Sequence, residues 1–128
     1  MEFTSVNKTF EAAFKKNWER PAISNYQGVT LKFGDVARRM EKLHIMFEEC
    51  GLQKGDKVAL CSRNQANWAV AFLATMTYGA VPVPLLHEFK SANIHHLVNH
   101  SEAKILFVDD VIWEGLSETE MPDLHAII

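Results

Sequence analysis

Residues 57–85 read KVALCSRNQANWAVAFLATMTYGAVPVPL, and they contain the clearest evidence for the fold. Its first five residues, 57–61, form a short apolar run that is compatible with a buried strand. An almost wholly apolar helix follows and ends at Gly79, after which residues 80–85 form a second short strand. Because a helix of several turns separates the two strands, we expect a crossover connection and parallel pairing.

Large side chains mark this helix, and prolines mark the strand that follows it. Trp68, Phe72 and Met76 recur every four residues, so we expect the helix to lie inside the protein. Pro82 and Pro84 remove two backbone donors from the same edge of the strand. That edge cannot carry a full ladder of hydrogen bonds.

The same alternation continues on both sides of this stretch. Upstream, the apolar spacing predicts a helix over 33–50 that Gly51 closes in a left-handed conformation. Downstream, we expect a helix over 91–100, a strand over 104–108, a helix over 111–118 and a strand over 124–128. The order βαβαβαβ with right-handed crossovers predicts an α/β fold, a doubly wound and mainly parallel sheet with helices on both faces.

A helix and a hairpin are predicted before the parallel sheet. Apolar residues recur every four positions at the N-terminus, at Val6, Phe10, Phe14 and Trp18. Arg20-Pro21 should end this helix. Residues 22–25 and 29–32 then predict a short antiparallel ribbon around the turn Tyr26-Gln27-Gly28.

Composition indicates one compact domain. The chain has 128 residues, of which 48% are hydrophobic and 23% charged, so we expect one subdomain with helix and hairpin in 1–32 and βαβ units in 33–128. The formal net charge of −3 provides no general attraction for a phosphate backbone. We therefore expect no nucleic-acid partner.

Cysteine usage and the N-terminus indicate a cytoplasmic location. Two cysteines, Cys50 and Cys61, are too few for the disulfide framework of a small secreted domain. We expect both to behave as small buried apolar residues. The N-terminal residues lack the basic flank and continuous apolar run of a signal peptide.

One uncharged stretch, residues 66–86, has enough residues to cross a bilayer as a helix. Gly79, Pro82 and Pro84 would stop its helix after about three turns. The sequence therefore predicts a buried α/β element and no transmembrane segment.

Four passages contain a further pattern. They are Leu31-Lys32-Phe33-Gly34-Asp35-Val36, then Gly51 to Val58 with Asn64 and Trp68, then Tyr78 to Leu85, and finally Ser101 to Val108. In that order they resemble elements of adenylate-forming enzymes, among them Gly-x-x-x-Gly-Asp-x-Val followed by Asn-x-x-x-Trp, and Ala-Gly-Ala-x-x-x-Pro-Leu. Together they cover most of the chain.

Two positions depart from the family pattern. Lys32 stands where the family has threonine, so the reciprocal capping box expected there is lost. Asp35 still places negative charge in the first helical turn. Tyr78 replaces the usual alanine before Gly79.

The resemblance implies the activity of a larger parent enzyme. Such an enzyme uses ATP and Mg²⁺ to convert a carboxylate into an acyl-adenylate, and then transfers the acyl group to coenzyme A. The passages Arg63-Asn64, 81–85 and 99–103 look more like fatty acyl-CoA ligases, of the long-chain type, than like amino-acid-activating domains. A fatty acid or another carboxylate is the implied substrate.

The family's phosphate loop, its nucleotide aspartate and its catalytic lysine have no counterpart in these residues. Developing charge on a leaving pyrophosphate would lack support. We therefore assign no catalytic, cofactor-binding or metal-binding residue, and we expect the chain alone to be inactive.

The apolar ending Ile127-Ile128 suggests truncation of an N-terminal fragment, whose partner would be the rest of the enzyme. An uncovered apolar face would also allow self-association. The alternative is a freestanding, non-catalytic α/β module that binds a partner or a small molecule through its open sheet edge.

Other candidate sites have simpler explanations. His96 and His100 are four residues apart on a predicted helix, with His87 and Glu88 nearby, and could share a metal ion. No glutamate follows either histidine as a zinc protease would require, so we interpret them as ordinary surface or half-buried histidines. Motifs for dinucleotide, P-loop and serine-hydrolase chemistry do not occur. We expect the three tryptophans to lie in the core on helical apolar faces: Trp18, Trp68 and Trp113.

Overall fold

The computed structural model describes residues 3–24, 30–63 and 65–128. Its helices and strands in chain order are α1 (Phe3–Lys16), β1 (Pro21–Ser24), β2 (Thr30–Lys32), α2 (Phe33–Glu49), β3 (Lys57–Cys61), α3 (Gln65–Tyr78), β4 (Val81–Pro84), α4 (Ser91–Ser101), β5 (Ile105–Val108), α5 (Asp110–Trp113) and β6 (Ala126–Ile127). The predicted alternation of strands and helices is confirmed.

The last helix is shorter than the predicted span of 111–118. The chain tightens at Gly115, whose N–H donates to the carbonyl of Ile112 three residues back, at 3.1 Å. A single 3-10 turn, Glu118–Glu120, then leads toward β6.

The strands form two sheets. β1 and β2 pair in antiparallel fashion, with Ile23 opposite Leu31, while the predicted turn at 26–28 falls outside the described residues. The other four strands are parallel in the order β4-β3-β5-β6. After β4 the chain returns past β3 to form β5, so it winds in both directions as predicted.

Helices cover both faces of the parallel sheet. On one face, strand residues Val58, Leu60 and Ile105 pack with α2 and α3. On the other face, Ala59 and Leu106 pack with α4 and with the chain after β5. The alternation of strand side chains thus divides the core into two layers, which confirms the predicted doubly wound α/β architecture.

Strand β4 is an edge strand, and its prolines face the open side. The N–H groups of Val81 and Leu85 donate to carbonyls of Asp56 and Leu60, both at 2.8 Å. Because alternate N–H positions point in opposite directions, the nitrogens of Pro82 and Pro84 face away from β3. The prolines therefore block further pairing at this edge.

Helix α3 buries its small residues rather than its large ones. Ala71, Ala74 and Thr75 are at most 1% exposed, whereas Trp68 and Phe72 are half-buried. The two aromatic rings stack with centroids 5.2 Å apart. The expectation that the Trp68 stripe lies inside is therefore wrong in part, because small side chains let the helix approach the sheet closely.

No helix in the described ranges is long and apolar enough to span a membrane.

Helix α1 ends before Trp18, which the periodicity placed on its stripe. Trp18 is 36% exposed and lies over Gly34, where an added Cβ would come within 2.6 Å of the indole Nε1. The guanidinium of Arg38 lies 5.7 Å from the ring centroid. Trp18 thus covers the start of α2 and is not a core residue, in contrast to the prediction.

Both ends of α2 have side-chain or backbone caps. At the start, the Asp35 carboxylate accepts the backbone N–H of Lys32 at 3.0 Å, so half of the capping box is present despite the missing threonine. At the end, Leu52 N–H donates to Phe47 O at 2.9 Å and Gly51 N–H donates to Glu48 O at 3.0 Å. These two bonds form a Schellman motif around Gly51, whose φ of +75° confirms the predicted left-handed cap.

Gly51→Ala should destabilise the protein by about 1 kcal/mol, because alanine is strained at positive φ. No atom lies within 4 Å of the position where the new Cβ would sit, so the effect isolates backbone strain from steric overlap. Urea unfolding of Gly51→Ala and Gly51→Asn would measure this. Asparagine tolerates the left-handed region, so Gly51→Asn should lower the free energy of unfolding less than Gly51→Ala does. Equal decreases for the two variants would contradict the left-handed cap at Gly51.

Candidate binding cleft at the carboxyl ends of the parallel strands

The carboxyl ends of β3 and β5 mark the point where the winding reverses. The chain leaves β3 toward α3 on one face, and it leaves β5 toward α5 on the other face. Open α/β sheets bind ligands outside the carboxyl ends of their strands, near such a point.

A cavity of about 490 Å³ lies at this edge of the sheet, beside the ends of β3 and β4. Its walls combine apolar side chains with a few polar ones: Ser62, Arg63, Trp68, Ala69, Pro84, Leu85, Leu86 and His87. This volume falls within the range of small-molecule sites, roughly 300–1,000 Å³. No acidic side chain is among the described residues that line it. The cavity therefore suits a ligand with an apolar body and a neutral or anionic end.

Arg63 and Asp109 join the two strand ends. One Asp109 carboxylate oxygen accepts the backbone N–H of Arg63 at 2.7 Å and lies 3.8 Å from its Nε. The other oxygen accepts the N–H of Ile112 at 2.9 Å and so caps α5. One carboxylate thus holds the loop after β3 against the helix after β5.

Electrostatics favour the ionised form of Asp109. Partial burial by itself would raise its pKa, but the N–H groups of Arg63 and Ile112 and the charge of Arg63 outweigh that effect. The pKa of Asp109 is lowered from its ordinary value as a result.

Cys61, the last residue of β3, directly precedes Ser62 of the cavity and is protected by burial. Its side chain is buried, and its Sγ lies 3.8 Å from the carbonyl of Leu86. Burial, with a contribution from the negative charge of Asp109, raises the pKa of the thiol to about 11. The expected buried role holds for Cys61, whereas Cys50 is only half-buried.

The histidines considered as metal ligands do not form a metal site in the described part of the chain. His96 and His100 stack with ring centroids 5.8 Å apart, and no group of three or more potential ligands surrounds them there. His95 instead accepts the N–H of Ser117 at 3.0 Å.

The sequence analysis assigned no site residue, and it quoted Arg63, Asn64 and Trp68 only for their resemblance to a family. Arg63 and Trp68 line the cavity, while Asn64 lies outside the described residues. Asp109 was not noticed at all. A signal for Asp109 was present, because aspartate directly after an apolar strand and before a helix is a favoured N-cap.

The amino-acid sequence is similar to those of several known proteins. The family model described as "AMP-binding enzyme" matches residues 10–127. Surfactin synthase subunit 2 from Bacillus subtilis (strain 168) is 25% identical over 122 residues, which are 95% of this chain and 3% of that protein. Fatty acyl-CoA synthetase A from Dictyostelium discoideum is 34% identical over 61 residues, which are 48% of this chain and 9% of that protein.

A solved structure shows the same fold. The crystal structure of a long-chain-fatty-acid-CoA ligase from Archaeoglobus fulgidus superposes with a TM-score of 0.79 at 23% identity. The match covers 97% of this chain and 27% of that one. The chain thus spans only a small part of the proteins that it resembles, and their names include a surfactin synthase as well as a fatty acyl-CoA synthetase and a long-chain-fatty-acid-CoA ligase.

Proposed function

The chain belongs to the AMP-binding enzyme family of adenylate-forming enzymes, and from this premise we propose that it is the N-terminal subdomain of a fatty acid CoA ligase. The whole enzyme would join a carboxylate to the AMP portion of ATP with release of pyrophosphate. It would then transfer the acyl group to the thiol of coenzyme A with release of AMP. A cytoplasmic location is part of the proposal.

The cavity at the carboxyl ends of β3 and β4 is the observation that carries the acyl-CoA assignment. An amino acid bears an ammonium group, which requires an anionic partner when it leaves water. The cavity instead presents Arg63 and His87 beside the apolar surfaces of Trp68 and Leu86. Such a wall suits an alkyl chain, so we propose that this subdomain forms one side of the acyl pocket.

The described residues do not fit a site for ATP and Mg²⁺. They contain no group of three or more side chains that could hold a metal ion, and the sequence has no glycine-rich loop ending in lysine. We therefore propose that this chain supplies no catalytic residue. Its residues would shape the pocket, exclude water from the acyl chain and support the remainder of the enzyme.

Exchange of labelled pyrophosphate into ATP by the full-length enzyme tests the proposal. We expect fatty acids to support exchange and amino acids or benzoate to fail. Ala69→Phe should narrow the cavity and lower kcat/KM roughly tenfold or more for the longest acid accepted, with little effect on the shortest.

The matched control is Val111→Phe, because Val111 is 55% exposed and does not line the cavity. It should leave the chain-length profile unchanged. Exchange supported by amino acids alone would overturn the fatty acid assignment, and an unchanged profile for Ala69→Phe would overturn the pocket-wall assignment.

A further inference from the structure

A second cleft, of about 260 Å³, lies on the other side of α3 from the cavity described above. Trp68 and Ala69 line the first cavity, whereas Asn67 and Val70 line the second. At 100° per residue, these two pairs lie on opposite sides of the helix. The second cleft is therefore a separate space, bounded by α2, α3 and β5.

Two cations of α2 border this cleft. Arg39 and Lys42 lie three residues apart on α2, and both are exposed. Arg39 Nη1 donates to the neutral amide oxygen of Asn67 at 3.0 Å. Within the described ranges, neither cation has a carboxylate partner, whereas Arg38 on the same helix pairs with Asp35 at 3.3 Å. Two positive charges are thus available to an incoming anion.

Apart from Asn67, the remaining walls of the cleft are apolar. Leu43 and Val70 are 9% and 3% exposed, and Phe107 on β5 is half-buried. The volume lies just below the usual range for small-molecule sites, roughly 300–1,000 Å³, so a ligand must be small. An anionic group at one end and a short apolar body match both parts of the cleft.

We propose that this cleft is a binding site for a small carboxylate with a short alkyl tail. Its carboxylate would accept hydrogen bonds from Arg39 and Lys42, for which the planar guanidinium offers a paired geometry. Its tail would cover Val70 and Phe107. The proposal stands on the cleft alone and does not depend on the acyl-CoA assignment, because the two sites occupy different sides of α3.

Titration of the 128-residue chain with sodium octanoate, followed by amide chemical shifts, tests this site. We expect saturable shifts at residues 39–43, 67–70 and 107. Sodium acetate lacks the tail and 1-octanol lacks the charge, so each should bind about tenfold more weakly or worse.

Substitution of the cations separates a built site from nonspecific attraction. Arg39→Gln combined with Lys42→Gln should weaken octanoate binding about tenfold or more. Lys8→Gln combined with Lys16→Gln removes the same charge from exposed positions on α1 and should change affinity by less than about twofold. Matching amide spectra without ligand would show that both double variants are folded.

Three results would overturn the proposal. The first is an equal loss of octanoate affinity in the two double variants. The second is saturable amide shifts only at residues that line the other cavity, such as Ser62 and His87. The third is the absence of saturable amide shifts with octanoate.

Discussion

Replacing Phe47 with alanine is expected to lower the free energy of unfolding by about 3–5 kcal/mol, the usual cost of truncating a buried phenylalanine. Phe47 is 1% exposed, and its ring meets that of Tyr78 edge to face at a centroid distance of 5.5 Å. The substitution opens a cavity and removes the support of Tyr78, whose hydroxyl donates to the carbonyl of Leu52 at 2.7 Å. The loss should appear as a lower urea midpoint.

Ile45→Ala is the matched control on the same helix, because Ile45 is 50% exposed. Its effect should stay within about 0.5 kcal/mol. Since small domains have a total stability of roughly 5–15 kcal/mol, Phe47→Ala should remove a substantial fraction of it. Equal urea midpoints for the two variants would mean that Phe47 is not packed as described.

Asp109→Asn is expected to cost about 1.5–3 kcal/mol at neutral pH, because a charged acceptor serving two backbone donors is lost. The asparagine oxygen can accept from either Arg63 or Ile112, but its NH₂ group cannot accept from the other. The loop after β3 would detach from α5, so amide exchange at residues 63 and 112 should accelerate. Urea unfolding at pH 7 gives the size of the loss.

The difference in stability between wild type and Asp109→Asn should depend on pH. The pKa of Asp109 is lower in the folded protein than its ordinary value of 3.8, so the carboxylate contributes stability above that value. This contribution is lost as pH falls through the lowered pKa, and the two proteins should converge in acid. Asp110→Asn, next to it at the start of α5, is the control and should cost less stability at pH 7, because the carboxylate that accepts from Arg63 and Ile112 belongs to Asp109. A wild-type advantage that persists in strong acid would contradict the role of the carboxylate.

Local patterns were sufficient to predict most of the secondary structure. The apolar run at 57–61 is β3 with the same bounds, and the predicted helix over 33–50 ends at Glu49. The hairpin and the parallel sheet also follow from such patterns. Each depends on neighbours within a few residues, where the periods of helices and strands differ clearly.

Periodicity was less reliable for the orientation of side chains. It identified Trp68 and Phe72 as a core stripe, but the opposite, small-residue side of α3 contacts the sheet. Several sides of an apolar helix could be buried equally well. The side that packs against the sheet is the one whose side chains let the helix and the sheet come close together. Trp18 was misplaced for a related reason, because α1 ended one turn earlier than its apolar spacing suggested.

Short-range spacing and motifs in a set order were enough to predict the order of strands and helices, the direction of winding and the family. Which side chains meet depends instead on how the helices and strands pack. Arg63 and Asp109 are 46 positions apart, and no local pattern links them. They come together because parallel pairing of β3 with β5 brings both carboxyl ends to one edge of the sheet. The two clefts that flank α3 have the same origin, since their walls come from segments that only packing makes neighbours.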